Sequence, residues 1–377
     1  MNLGLYLHIP FCRQKCLYCD FPSYTNMEYL YNDYVAALSR EIAAQGGICA
    51  HHTVDTIYIG GGTPTLLSNQ QIGTIMNSIR LNLNLAADAE ISIEANPGTV
   101  DYHKLVFLKE YGINRISFGV QCFSDRLLSK IGRIHSSSDA VETINMARKA
   151  GFDNINIDLM YGLPGQTTRD LRHSIETAAS LNIQHLSIYG LKVEEDTPFA
   201  ELQVSGKLDL PNDNDEEEMY DLAAALAPHY GYERYEISNY ARLGFACKHN
   251  LKYWRYQPYL GLGVSAHTFW GKERRENTTS VAEYIKAVNA GRPAVDFRET
   301  ITTQNAMAEY VFLALRTVSG LRYEDFNSYF EDDFLQRYQE VIQDLEQRNL
   351  IIADSLGVRM TEIGMKYGNI VFLAFMA

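Results

Sequence analysis

No run of apolar residues in this chain approaches the ~18 needed to cross a bilayer; the longest late one, residues 370–376, is far too short. The first residues, Met-Asn-Leu-Gly-Leu-Tyr, carry no basic segment, so no secretory leader is expected. Basic charge is also short. Thirty-three Lys and Arg stand against 46 Asp and Glu, a net charge of −13. Proteins whose main partner is a phosphate backbone usually show the opposite balance, which argues against nucleic acid. Cysteine is scarce, six in 377 residues, and that is no disulfide framework. Convincing repeats and low-complexity linkers are missing too. What remains is a globular chain whose 46% hydrophobic residues can bury a large core. At roughly 150 residues per domain, two to three domains are expected. The expectation is a cytoplasmic protein with no integral membrane segment.

Strand-like runs recur at 3–9, 54–59, 89–95, 115–120, 154–161, 185–191 and 232–237. Between them lie amphipathic, helix-length segments at 27–45, 69–82, 101–111, 138–150, 168–181 and 215–228. Such alternation predicts an α/β chain with a parallel sheet, and six or seven units favour a full or partial barrel. Periodicity alone does not separate a barrel from an open sheet. The acidic run Asp213, Asp215, Glu216, Glu217 and Glu218 reads as a solvated helix start, where carboxylates suit the macrodipole. From residue 304 the pattern changes. Helices are expected at 305–318, 323–329 and 333–347, a hairpin at 350–361 and a last helix at 363–375. Three helices with a hairpin predict a winged-helix-like unit, here suited to packing and partner contact. The expected domains are therefore 1–303 and 304–377.

Three of the cysteines crowd together. Cys12, Cys16 and Cys19 form a C-x3-C-x2-C array directly after the first strand. In a reducing compartment such a cluster binds metal more often than it forms disulfides. Structural zinc takes four ligands. A [4Fe–4S] cluster with only three thiolates keeps one iron open to a small molecule. Lys15, inside the loop, is expected to favour thiolate over thiol. The zinc alternative would need a distant fourth ligand such as Cys247 or His249.

The second signal is Gly60-Gly61-Gly62-Thr63-Pro64-Thr65, after the second strand. No Gly-Lys-Ser/Thr follows, so it is not a P-loop. Glycines there let backbone N–H groups approach a polar ligand closely. Glu94 closes the third strand, Gln121 closes the fourth and Asp158 lies in the fifth. Five consecutive strands thus direct polar or ligating groups to the face formed by strand C-termini, where barrel sites assemble. A third signal is the segment from Cys247 through His249, Asn250, Tyr253 and Trp254, followed by Gly261, Gly263 and His267. Its aromatic content suits a flat ligand, although a lone histidine is more often packed, as is expected of His267. Cys49, His51 and His52 look metal-like but are expected to be solvent-exposed. Cys122 is expected to be a small packed residue near the site.

The cysteine array, with Tyr6, His8, Phe11, Asp20 and Phe21 around it, resembles the radical S-adenosylmethionine (SAM) superfamily. Within it, the chain is similar to the oxygen-independent coproporphyrinogen oxidases and their relatives. The H-N-x-x-Y-W pattern at His249 resembles the heme-chaperone (HemW-type) branch of that subfamily. The resemblance implies a partial (β/α)6 TIM-like barrel followed by a winged-helix-like helical domain. It implies a [4Fe–4S] cluster on Cys12, Cys16 and Cys19. It implies SAM held by Tyr6, Tyr18, Gly61, Gly62, Thr63, Glu94, Gln121, Arg133 and Asp158. Arg133 would pair with the SAM carboxylate. It also implies heme on His249, and a heme-acceptor protein as partner. The oxidases themselves resemble C-x3-C-x2-C-x-C and carry a longer segment before the motif. Here position 21 is Phe21 and eleven residues precede Cys12. Both departures argue against decarboxylation of a porphyrinogen, which stays the alternative activity.

Overall fold

A computed structural model describes residues 2–376 of the chain. Six strands pair in parallel and in sequence order: β1 (Asn2–Ile9), β2 (Thr53–Gly61), β3 (Leu85–Ala95), β4 (Arg115–Gln121), β5 (Ile155–Tyr161) and β6 (His185–Gly190). The crossovers run through α1 (Tyr31–Cys49), α2 (Asn69–Asn82), α3 (Tyr102–Glu110), α4 (Asp125–Lys130), α5 (Ser137–Lys149) and α6 (Thr168–Ser180). Side chains of each strand alternate between two faces. The outward set, including Leu5, Ile57, Ile93, Ile116, Ile157 and Leu186, is fully or nearly fully buried in the main core, which the helices cover.

The inward set is polar, unlike the branched apolar filling usual inside a closed barrel. It is tied together by hydrogen bonds. Asn156 donates to Ser117 Oγ at 2.7 Å, and His185 meets Asn156 Oδ1 through Nδ1 and the Tyr235 hydroxyl through Nε2. Most polar groups taken from water here have a partner, as burial demands, while Ser92 Oγ and Arg115 Nε have none. Arg115 is 1% exposed on this inner face, near Glu90.

β1 and β6 do not pair, so the barrel stays open. After α7 (Pro198–Val204) and α8 (Asp213–His229), the far side continues into β7 (Glu233–Arg234) and β8 (Asn239–Ala241), both antiparallel. The seventh parallel unit expected at 232–237 is thus only a two-residue edge strand. The chain folds back because Tyr235 N–H donates to Asn239 O and the Glu236 carboxylate accepts from Ser238 N–H. The acidic run does open α8, with Asp213, Asp215 and Glu216 in its first turn.

A short helix, α9 (Lys248–Trp254), enters the opening from inside. On the near side, β9 (Tyr259–Leu262) runs parallel to β1. β10 (His267–Trp270) and β11 (Glu273–Asn277) extend the sheet antiparallel, and after α10 (Val281–Asn289) β12 (Val295–Thr300) forms its edge. This extension was not expected from the sequence. Its outer strands, Glu-Arg-Arg-Glu-Asn and Val-Asp-Phe-Arg-Glu-Thr, carry no apolar run to mark them, and their charge blunts an exposed sheet edge.

A second core, from Met307 to Phe375, gathers α11 (Thr303–Leu315), α12 (Tyr323–Phe330) and α13 (Phe334–Gln347) on a small sheet. That sheet has the order β13 (Leu321–Arg322), β15 (Gly357–Met360), β14 (Ile351–Ala353), all antiparallel. The last expected helix is two, α14 (Glu362–Lys366) and α15 (Gly368–Met376). Helical dihedrals lapse at Tyr367. Gly368 then packs against the Phe372 ring, where an added Cβ would stand 3.2 Å from it. Among the described residues no helix is long and apolar enough to cross a membrane.

Candidate functional site

The loop after β1 carries the three thiols, all half-buried, to the C-terminal face of the barrel. Two backbone bonds sew it to the glycine turn after β2: Gly62 N–H to Ile9 O at 2.8 Å and Thr63 N–H to Phe11 O at 2.7 Å. Gly62 has no room for a side chain. A Cβ there would stand 2.5 Å from Phe11 O and 3.0 Å from Cys12 Sγ. Thr63 Oγ1 lies 3.7 Å from Cys12 Sγ, and Arg133 Nη1 donates to Cys16 Sγ at 3.4 Å. The other Arg133 terminus reaches Asn96 Oδ1 and Gly119 O. Arg133 therefore ties the cysteine loop to β4 as well as facing the cavity.

A cavity of about 600 Å³ opens beside the loop. Cys12, Cys16, Cys19 and Tyr18 line it from one side; Gly61, Gly62, Glu94, Gln121, Arg133 and Asp158 line it from the barrel. Of the residues expected around SAM, Tyr6 and Thr63 are not on that wall. The Tyr6 hydroxyl bonds His8 Nδ1 at 2.9 Å, and Thr63 is 3% exposed behind the glycine turn. Gln121 holds φ +68, a conformation that side-chain-bearing residues rarely adopt and that clusters at ligand clamps. The cavity also reaches Tyr58, Asn96, Ser117, Ser187 and Tyr189, which sequence reading missed. The period-2 inward positions of β2, β4 and β6 carry the signal that would have found Tyr58, Ser117 and Ser187.

Glu94 accepts from the Tyr58 hydroxyl at 2.9 Å and from Gly61 N–H at 3.1 Å. Burial, then the nearby Asp158 carboxylate, push its pKa up to about 7 against those two bonds. Burial raises Asp158 too, although Asn156 donates to it at 2.7 Å. A buried acid with a raised pKa holds its proton in the folded chain at pH values where the unfolded chain has lost it. Stability should then fall as pH rises from about 4.5 to about 7, by on the order of 2–3 kcal/mol. Thermal melts of the ligand-free protein should show that slope, and Glu94→Gln should flatten it. Equal slopes in both proteins would contradict the assignment.

At Cys19 burial outweighs Lys15, and the thiol is pushed up to about 11. The expected thiolate-favouring effect of Lys15 is right in sign but small beside burial, and the neighbouring Cys16 opposes it.

Among the described residues no group of three or more His, Cys, Asp or Glu side chains converges on a point suited to one metal ion. A mononuclear zinc site is therefore not preformed, and both candidate fourth ligands are committed elsewhere. Cys247 is fully buried and its thiol donates to Glu90 at 3.5 Å. A cubane, by contrast, draws each thiolate to a different iron. Three half-buried thiols around a cavity walled by carboxylates, an amide and a guanidinium suit such a cluster and an amino-acid sulfonium beside it.

His249 does not reach the mouth. It is 1% exposed, its Nδ1 meets Thr56 Oγ1 and its Nε2 meets the Tyr253 hydroxyl, both at 2.9 Å. Its ring stacks on Tyr58, and burial lowers its pKa to about 3. Helical geometry explains this. Residues four apart share a face, so His249 and Tyr253 meet on one side of α9 while Asn250 and Trp254 line the cysteine-bearing cavity. Cys49 is buried at the end of α1 and not solvent-exposed as expected, and His52 packs on Trp270. Cys122 is buried among Leu127, Leu128 and Met160.

A cysteine loop, a glycine turn and inward carboxylates at one mouth of an open parallel barrel define a radical SAM protein. Residues 6–178 match the Radical SAM superfamily, and residues 301–366 match the HemN C-terminal domain. The fold superposes on coproporphyrinogen III oxidase (HemN) from Escherichia coli with a TM-score of 0.87 at 26% identity, covering 100% of this chain and 90% of that one. The heme chaperone HemW of Bacillus subtilis is 41% identical over 373 residues, 98% of each chain. HemW of Lactococcus lactis is 35% identical over 371 residues, 98% of this chain and 96% of its own. The chain belongs to the HemW family within the radical SAM superfamily.

Proposed function

We propose that this chain is a heme chaperone of the radical SAM type, which binds a [4Fe–4S] cluster, SAM and heme and hands the heme to an acceptor protein in the cytoplasm. The observation that carries this reading is a single cavity shared by the three thiols, the SAM-type polar groups and the Asn250/Trp254 face of α9. Names borne by relatives of 41% and 35% identity over nearly the whole chain support it.

In this reading Cys12, Cys16 and Cys19 hold the cluster. The cluster supplies a one-electron reductant with an open iron corner for an amino acid's amino and carboxylate groups. Gly61 and Gly62 bring backbone close to the ligand's amino end, with Glu94 beneath. Arg133 offers the carboxylate a charged donor while holding the loop. Gln121 and Asp158 line the inner wall, where ribose hydroxyls find acceptors. Tyr18 roofs the cavity and keeps water from the loop. Tyr6 and Thr63 act from behind, through His8 and the glycine turn.

The HemN-like backbone favours a second reading, decarboxylation of coproporphyrinogen. The anaerobically reconstituted protein separates the two. Incubated with coproporphyrinogen III, SAM and a reductant, it should form no decarboxylated product, yet it should bind hemin saturably. Steady product formation, or no hemin binding, would overturn the proposal.

A further inference from the structure

His267 is not the packed histidine that its sequence context suggests. Its side chain is 53% exposed, and among the described residues its ring makes no hydrogen bond; Glu276 is 3.9 Å away. It stands at the rim of a second cavity, of about 470 Å³, between β9, β10, α9 and α11. The aromatic walls are Tyr253, Trp254, Tyr256, Tyr259, Phe269 and Phe312. This size lies within the roughly 300–1,000 Å³ of small-ligand sites. These rings meet one another tilted or edge-on, and such aromatic walls suit a flat conjugated molecule. Arg274 adds a cation to the lining, held by both oxygens of Glu309 at 3.0 and 2.8 Å.

The backbone that presents His267 is closely determined. A Cβ on Gly261 would stand 2.0 Å from His267 O, and one on Gly263, at φ +98, would stand 2.5 Å from the Tyr34 hydroxyl. Thr268 Oγ1 accepts from Gly261 N–H at 3.0 Å and donates to Gly261 O at 3.2 Å. Trp254 belongs to the walls of both cavities, so the second chamber adjoins the cysteine-lined one. Arg316 stacks on that indole, 4.6 Å from its centre.

We infer that iron porphyrin is received in this aromatic chamber and that His267, rather than His249, presents the nitrogen that ligates its iron. A neutral imidazole is a normal ligand for heme iron. His267 has its ring open to an incoming metal, whereas His249 would have to give up Thr56 or Tyr253 and leave the barrel interior. Arg274 is already neutralised by Glu309, so the selectivity of the chamber rests on its aromatic walls and on His267. The inference rests on the heme-binding reading above.

The test titrates hemin, and separately metal-free protoporphyrin IX, into the cluster-loaded full chain. The variants are His267→Ala, His249→Gln and Leu313→Trp, the last filling the chamber; SAM binding by calorimetry confirms that each is folded. His267→Ala should weaken hemin binding at least as much as the roughly 10–100-fold typical of losing a ligand's supporting partner. It should also remove the histidine signature from the resonance Raman spectrum while leaving protoporphyrin binding intact. Leu313→Trp should weaken both probes, and His249→Gln neither. Unchanged hemin affinity in His267→Ala, or loss confined to His249→Gln, would overturn the inference. A wild-type chain that binds neither probe would instead sink the heme reading itself.

Discussion

Cys16→Ala should abolish cluster loading while leaving the barrel folded. Iron and acid-labile sulfide in the anaerobically reconstituted variant should fall to background, and the cluster's visible absorbance should vanish. The reason for the selectivity lies in where the loop sits. The main core is built from outward strand residues and helix faces, and none of the three thiols belongs to it. Cys16 gives up one long contact from Arg133, which keeps Asn96 and Gly119 as partners. The melting temperature of the unloaded variant should therefore match that of the unloaded wild type. Full iron content in the variant would remove Cys16 from the ligand set.

Gly62→Ala should be nearly as damaging to loading, although Gly62 supplies no sulfur to the cluster. The new methyl meets the Phe11 carbonyl at 2.5 Å and Cys12 Sγ at 3.0 Å, and the first of these is backbone that cannot rotate aside. Either the glycine turn or the cysteine loop must move, and the Ile9 and Phe11 bonds between them must lengthen. Overpacking of this kind costs about 1–3 kcal/mol. Cluster incorporation should drop severalfold, and SAM binding should weaken with it. Gly47→Ala, at an exposed position of α1 with nothing within 4 Å of the new Cβ, serves as the control and should change neither. Normal loading in Gly62→Ala would show that the turn does not set the loop's position.

Much of the barrel was legible because its strands and helices alternate and its apolar positions repeat with the right periods. All six parallel strands lie where the apolar runs are, and the spacing of Cys12, Cys16 and Cys19 needed no structure to be noticed. The harder parts failed for definable reasons. The segment at His249 spans barely two helical turns, too short for its phase to be read. Its motif therefore looked like one set of ligand-facing residues, and the helix splits it into two faces. The sheet extension from β9 to β12 was hidden by short strands and charged edges. The break between α14 and α15 depends on Gly368 closing on Phe372, a contact with no period to betray it. At Cys19 a nearby lysine was visible in the sequence, but the burial that outweighs it was not.

The central claim is that three thiolates hold a cluster whose remaining iron is free to take SAM at the barrel mouth. Electron paramagnetic resonance of the reduced, anaerobically reconstituted chain, recorded before and after adding SAM, tests it most directly. The account predicts a [4Fe–4S] signal whose g-values shift when SAM is added. A signal indifferent to SAM, or a chain that takes up zinc and no sulfide, would contradict it.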